Sequence, residues 1–191
     1  MPRLYRPEDY DYAYYAHSCG PIPYGRSAPW IAFFDRIAVT LIRLFQPQSV
    51  FDVGCAMGLL VEGLRDRGVA AWGCDLSPYA IAQVRPDLQA FCRCQSASEP
   101  WDRSYDLVTC IEVLEHVTPD MAAAILTQMA QHTRRVVFSS TPDDLTEESH
   151  VNVHPDAYWV DAFDRVGFQP DPTADVAVIT PWARVFHRLA P

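Results

Sequence analysis

Three side chains able to carry out acid–base or metal chemistry lie close together in the segment I-E-V-L-E-H-V. Glu112, Glu115 and His116 have i, i+3 and i+4 spacing, so their heads share one face if a helical turn begins at Glu112. A further histidine, His150, follows a later strand-like run whose loop is expected to return to the same edge. Carboxylates and imidazoles together are a ligand set for a divalent cation. These four residues are therefore the predicted metal ligands.

The same residues have other uses if no metal binds. His116 or His150 is then the better candidate for a general base, because an imidazole titrates near working pH. Glu112 is the third candidate catalytic residue. Alternatively, the glutamates orient backbone groups beside a ligand and His116 packs against its neighbours.

A glycine-rich turn is the second chemically informative stretch. In S-V-F-D-V-G-C-A-M-G the apolar run around Asp52 predicts a buried strand, and Gly54 and Gly58 bracket a turn into the helical pattern that follows. Such a turn lets backbone approach a ligand closely and aims the free N–H groups of the next helix at it. The spacing of the two glycines differs from the G-x-G-x-x-G dinucleotide fingerprint, which disfavours hydride transfer.

The remaining chain supplies elements that position these groups. Strand-like and helical runs alternate about five times, which predicts an α/β fold with a doubly wound, mostly parallel sheet. We expect one domain, with an arm or lid over 1–26, a helix over 27–46 and a core over 47–191. Ligands bind at the carboxyl ends of the strands in such sheets. The segments expected there are 52–58, Asp75, 95–97, 112–116, Thr141 and His150.

Four blocks of the sequence, in order, resemble the motifs of the class I S-adenosylmethionine-dependent methyltransferases. They are F-D-V-G-C-A-M-G, G-C-D-L-S, Y-D-L-V-T-C-I-E-V-L-E-H-V and V-V-F-S-S-T-P. The resemblance covers the chain from about Trp30 onward and is closest to small stand-alone bacterial members with a Glu-x-x-Glu-His element. It implies a seven-stranded sheet whose last strand is antiparallel.

The resemblance also implies a set of cofactor contacts. Asp52, Gly54 and Gly58 would hold the amino-acid end of S-adenosylmethionine, Asp75 the ribose hydroxyls, and Ser96 with Ala97 the adenine. S-adenosylhomocysteine would be the product. The full set of candidate cofactor residues is Asp52, Gly54, Cys55, Gly58, Asp75, Leu76, Ser96, Ala97 and Ile111. The Glu-x-x-Glu-His element with a later histidine resembles the metal site of methyltransferases that modify the terminal 2′-hydroxyl of small RNAs, and ubiquinone-pathway O-methyltransferases carry a similar element.

The composition disfavours several classes of binding partner. The net charge is -9, so the chain offers no basic face for a phosphate backbone and nucleic acid is an unlikely partner. The six cysteines form no paired C-x-x-C framework and are expected to be buried, reduced thiols. The first residues lack the apolar core of a signal peptide, and no apolar run has the length of a bilayer span, so we expect a cytoplasmic protein without membrane contact. The oligomeric state stays open.

The leading hypothesis is methyl transfer to a hydroxyl of a small molecule or glycan, with a divalent metal as a possible assistant. Methylation of the 3′-terminal 2′-hydroxyl of RNA is an alternative that the acidic charge disfavours. A non-catalytic module that binds cofactor or a partner is the alternative from another class.

Overall fold

The structure is a computed structural model that describes residues 5–188. Within that range the chain forms a seven-stranded sheet in the order β3-β2-β1-β4-β5-β7-β6. Strands β1 to β5 pair in parallel, and β7 runs antiparallel to both β5 and β6. The predicted doubly wound, mostly parallel sheet is thereby confirmed. The strands are β1 Ser49–Val53, β2 Ala70–Asp75, β3 Cys92–Cys94, β4 Leu107–Ile111, β5 Arg135–Ser139, β6 Gln169–Pro170 and β7 Arg184–His187.

Helices cover both faces of this sheet. Because side chains alternate along a strand, Phe51 packs with α5 and α6 on one face while Val50 packs with α2 and α3 on the other. The two hydrophobic layers fix the strand register and therefore the positions of the loops at the carboxyl edge. The helices are α1 Tyr12–His17, α2 Ala28–Phe45, α3 Leu59–Arg65, α4 Pro78–Ala82, α5 Pro119–His132 and α6 Asp156–Arg165.

The helix boundaries follow local signals. The Ser77 and Thr118 side chains accept hydrogen bonds from the first turns of α4 and α5, and each is followed by a proline at the first helical position. Helix α2 ends at Phe45, and its C-cap Gln46, with a left-handed φ of 47°, directly precedes Pro47. Helix α2 thus differs from the predicted 27–46 by one residue at each end.

The N-terminal arm, residues 5–26, lies across the carboxyl edge of the sheet. It contains α1, which Asp11 caps, and packs Tyr10 and Tyr15 against Met57 and Ala80. The sequence predicted an arm or lid here, without a helix in it. Its side chains lie over the edge where the predicted site residues meet.

All six cysteines are free within the described range. Four of them are buried, as expected, whereas Cys94 at the end of edge strand β3 is exposed and Cys19 in the arm is half-buried. Among residues 5–188 no helix combines the length and apolarity needed to cross a bilayer.

Candidate active site

The glycine turn after β1 is held by β2. The Gly54 and Cys55 N–H groups both donate to the Cys74 carbonyl, at 2.8 and 2.9 Å. Gly54 has a φ of 70°, and a Cβ added there would lie 2.4 Å from a methyl group of Val113. Both the backbone conformation and the space therefore favour glycine at this position. Ala56 follows with a left-handed φ of 46°.

Asp75 ties the two sides of this turn together. One carboxylate oxygen accepts from the Ala56 N–H and the other from the Ser77 N–H, each at 2.8 Å. Burial raises the pKa of Asp75, and these two hydrogen bonds oppose the rise. Each oxygen keeps a further lone pair for a donor in the adjoining cavity.

Asp52 is buried beside the same turn. Its carboxylate accepts a 2.6 Å hydrogen bond from the Thr109 hydroxyl on β4. Burial is the main cause that raises the pKa of Asp52 to about 7, while the bond from Thr109 opposes it. A carboxyl group that titrates near neutrality thus lines the site.

A cavity of about 600 Å³ runs along the carboxyl edge from this turn to the Glu115–His116 segment. Gly58 lies outside the lining formed by the described residues: it precedes α3 with a φ of 70°, and an added Cβ would meet Cys92 and Val84. Its role is to shape the turn. The other candidate cofactor residues line the cavity: Asp52, Gly54, Cys55, Asp75, Leu76, Ser96, Ala97 and Ile111.

Aromatic side chains form the wall of the cavity on the arm side. Trp30, Phe33 and Phe34 of α2 line it, with Tyr14 and Tyr24 of the arm. Sequence reasoning predicted the helix and missed this role of its aromatic residues. The signal was the i, i+3, i+4 spacing of the three α2 aromatics, which puts them on one face.

Arg26, the last residue of the arm, forms a 2.7 Å ion pair with Glu62 on α3. It is absent from the cavity lining among the described residues.

The predicted placement of Glu112 on one helical face with Glu115 and His116 is wrong. Glu112 has a left-handed φ of 52°, and its N–H still bonds to Ser139 of β5, so no helical turn begins there. A short 3₁₀ turn starts at Leu114 instead. The Glu112 carboxylate accepts a 3.0 Å hydrogen bond from the Trp182 indole. It lines the cavity but lies outside the groups of metal-ligating atoms found in the described range.

Glu115 and the two histidines do come together. A carboxylate oxygen of Glu115 and one ring nitrogen each of His116 and His150 lie within 4.8 Å of one another. Glu115 is fully buried, and its Oε1 accepts a 3.3 Å bond from the Thr141 N–H. Burial, and next the charge of Glu112, hold the pKa of Glu115 well above its usual value.

The loop after β5 brings a further carboxylate to this cluster. Glu147 Oε2 lies 3.2 Å from His150 Nε2, and the His116 and His150 rings are 4.7 Å apart. Burial, followed by the proximity of His150, lowers the pKa of His116 to about 3. His116 is therefore a neutral imidazole at physiological pH. Sequence reasoning missed Glu147, although it stands three residues before His150.

Comparison with known proteins now decides the family. The sequence profile described as "Methyltransferase domain" matches residues 25–173, more than half of the chain. The chain belongs to this methyltransferase family.

Relatives of this methyltransferase share segments of its sequence. It is 36% identical over 104 residues to the ubiquinone biosynthesis O-methyltransferase of Azoarcus sp. strain BH72, an alignment that covers 49% of this chain and 44% of that one. It is 32% identical over 121 residues to the protein of the same name from Neisseria meningitidis serogroup C, covering 58% and 47%. The methyltransferase thus spans about half the length of the curated relatives it matches.

Solved structures share its fold. Magnesium protoporphyrin IX methyltransferase from Synechocystis PCC 6803, solved with bound S-adenosylmethionine, has a TM-score of 0.64 at 21% identity over 83% of this chain and 79% of that one. The 1,6-didemethyltoxoflavin-N1-methyltransferase of Burkholderia thailandensis has a TM-score of 0.65 at 15% identity over the same shares. The fold is therefore that of the class I methyltransferases.

Proposed function

We propose that this methyltransferase uses S-adenosylmethionine to methylate a hydroxyl group of a small molecule. The observation that carries the proposal is the single cavity of about 600 Å³ that joins the glycine turn to the cluster of Glu115, His116 and His150. A methyl donor at one end and an acceptor at the other would meet within it. Its volume is in the range of small-molecule sites, about 300–1,000 Å³.

The residues at the turn fit the cofactor. The Asp75 oxygens each retain a lone pair for a ribose hydroxyl, and Gly54 lines the cavity beside them. Asp52 would face the amino-acid end, and Ser96 with Ala97 would flank the adenine. Cys55, Leu76 and Ile111 complete the apolar and backbone lining.

The cluster at the other end would activate the acceptor. His116 is a weak proton acceptor because its pKa is about 3. A buried oxygen of Glu115, Oε2, lacks a partner that meets hydrogen-bond geometry among the described residues, which fits a bound cation. A divalent cation bound there would lower the pKa of the acceptor hydroxyl that it coordinates. The chain's own residues then align the acceptor oxygen with the methyl group.

The two relatives described above are ubiquinone biosynthesis O-methyltransferases. Their similarity to this chain favours oxygen over nitrogen as the methylated atom. The aromatic wall from Tyr14, Trp30 and Phe34 suits a planar ring in the acceptor. A sugar acceptor remains a prediction without specific support. The net charge of -9 disfavours an RNA acceptor.

The test is transfer of a labelled methyl group from S-adenosylmethionine to a panel of phenols, catechols, sugars, aromatic amines and a short oligoribonucleotide. We expect label on the oxygen of a phenolic or catecholic compound. Label on nitrogen, or on the oligoribonucleotide alone, would contradict the proposal. Absence of label from every compound, with S-adenosylhomocysteine still bound, would favour the non-catalytic module.

A further inference from the structure

The loop between β5 and α6 carries a second group of ligating side chains to the active site. Asp144, Glu147 and His150 form one cluster within 4.8 Å, and Glu115, His116 and His150 form another, so His150 joins the two. The side chains of Glu147 and His150 are 17% and 6% exposed. They lie in the wall of the main cavity and not on the open surface.

One contact of His150 fixes the position of a ring hydrogen. Its Nδ1 lies 2.8 Å from the carbonyl oxygen of Asp144, which can only accept, so Nδ1 carries the hydrogen. In the neutral ring Nε2 is then a bare lone pair, and it faces Glu147 Oε2 at 3.2 Å. Two acceptors at this distance require a proton or a cation between them.

The hydrogen bonds of His116 lead to the same tautomer. The Ser149 hydroxyl donates its one hydrogen to Glu147 Oε1, so it can only accept from His116 Nδ1, 2.9 Å away. The lone pair of His116 is therefore on Nε2. A histidine whose other nitrogen donates to an oxygen is the usual arrangement of a metal ligand.

The described contacts bring four ligating side chains to one part of the cavity. His150 forms a group with Glu115 and His116, and its Nε2 lies 3.2 Å from Glu147 Oε2. Nitrogen and oxygen donors gathered in this way are a ligand set for a divalent cation. Asp144 is not needed, since its carboxylate lies on the Nδ1 side of His150 and already accepts from Thr146.

We propose that Glu115, His116 and His150 hold a divalent cation and that Glu147, which contacts His150 at 3.2 Å, turns toward them as the second carboxylate ligand in place of Glu112. Glu112 instead bonds to the Trp182 indole and stays out of the ligand set. The inference rests on the proposed function, because it places the cation where the acceptor hydroxyl would lie. The mixed nitrogen and oxygen donors suit Mn²⁺ or Zn²⁺.

The test measures metal binding directly on the metal-stripped full chain. Mn²⁺ is titrated and its free form is followed by electron paramagnetic resonance, and Zn²⁺ is titrated against a chromophoric chelator. Glu147→Gln and Glu112→Gln form a matched pair, since each keeps size and a hydrogen-bond acceptor while removing one charge. Circular dichroism of each variant checks that it is folded.

We expect the wild-type chain to bind one ion, Glu147→Gln to weaken affinity by about 10- to 100-fold, and Glu112→Gln to change it less than about 3-fold. The reverse order of the two variants, or no binding of either metal by the wild type, would overturn the inference. S-adenosylhomocysteine titrated into the same metal-free samples separates the two proposals. If it binds while neither metal does, the ligand set is wrong and the proposed function stands.

Discussion

Asp52 shows how burial sets the behaviour of one residue. Its pKa of about 7 means that the folded chain binds a proton there at a pH where an exposed aspartate has lost it. Stability therefore falls as pH rises through the window between the usual value of 3.8 and about 7. Above this window the buried carboxylate lowers the stability of the fold. A residue that lowers stability in this way is typical of a ligand-binding site.

The first prediction concerns the pH dependence that Asp52 creates. Relative to Asp52→Asn, which keeps an acceptor for the Thr109 hydroxyl, the free energy of unfolding of the wild type should fall by about 2–3 kcal/mol from about pH 5 to about pH 8. Urea denaturation of both proteins at several pH values measures this difference. Parallel curves for the two proteins would contradict the raised pKa.

Gly54 carries the second prediction. Gly54→Ala should lower stability by at least about 2 kcal/mol, because it adds a Cβ 2.4 Å from Val113 to a left-handed backbone. Gly68→Ala is the matched control, since Gly68 has a φ of 82° with no atom within 4 Å of an added Cβ. It should lose only about 1 kcal/mol from backbone strain. Equal losses in thermal unfolding would show that Val113 moves aside freely.

At the residue scale, the sequence predicted the positions of site residues that belong to a motif of fixed spacing. Asp52, Gly54 and Asp75 were predicted at the ligand edge and line the cavity. The position of Glu112 was not predictable, because its contacts with Ser139 and Trp182 join residues distant in sequence. Glu147 stands three residues before His150, a spacing that could have indicated their contact.

At the scale of elements, the junction between the arm and α4 depends on Ser77. Its hydroxyl donates to the Tyr10 carbonyl at 2.5 Å and accepts from the Ala80 N–H at 2.9 Å. One side chain thus caps a helix and attaches the arm above the cavity. The arm further packs the rings of Tyr10 and Tyr14 about 6 Å from His116, with centroid distances of 6.3 and 6.2 Å.

The third prediction separates these two roles of Ser77. Ser77→Ala and Thr118→Ala each remove a helix cap and should each lower stability by about 0.5–2 kcal/mol. Only Ser77→Ala should also increase hydrogen exchange of the backbone amides in residues 5–26, because only Ser77 bonds to the arm. Unchanged arm exchange in both variants would mean that aromatic packing alone holds the arm.

The elements themselves were largely predictable. The capping residues before α4 and α5 and the apolar strand runs are local signals that the structure follows. The course of the loop from Thr141 to Asn152 was not predictable from the sequence. It is set by hydrogen bonds from the Val151 and Asn152 N–H groups to the Glu115 carbonyl, which is distant in sequence.

At the scale of the whole molecule, the sheet order places sequence-distant segments around one cavity. The loops after β1, β2, β3, β4 and β5 meet at the carboxyl edge with the segment before β7, and the arm with α2 covers them. The alternation of elements predicted this edge, since parallel strands must end on the same side. The shape of the acceptor end, made by the arm and the loop after β5, could be seen only in the folded chain.

The central claim is that this cavity binds a methyl-donor cofactor through the turn that Asp75 holds. The most direct measurement is calorimetric titration of S-adenosylhomocysteine into the wild-type chain, Asp75→Ala and the surface control Asp161→Ala. We predict one site per chain in the wild type and the control, and a loss of about 1–3 kcal/mol in binding free energy in Asp75→Ala. A folded wild-type chain that shows no binding, or an Asp75→Ala variant that binds as tightly as the control, would contradict the account.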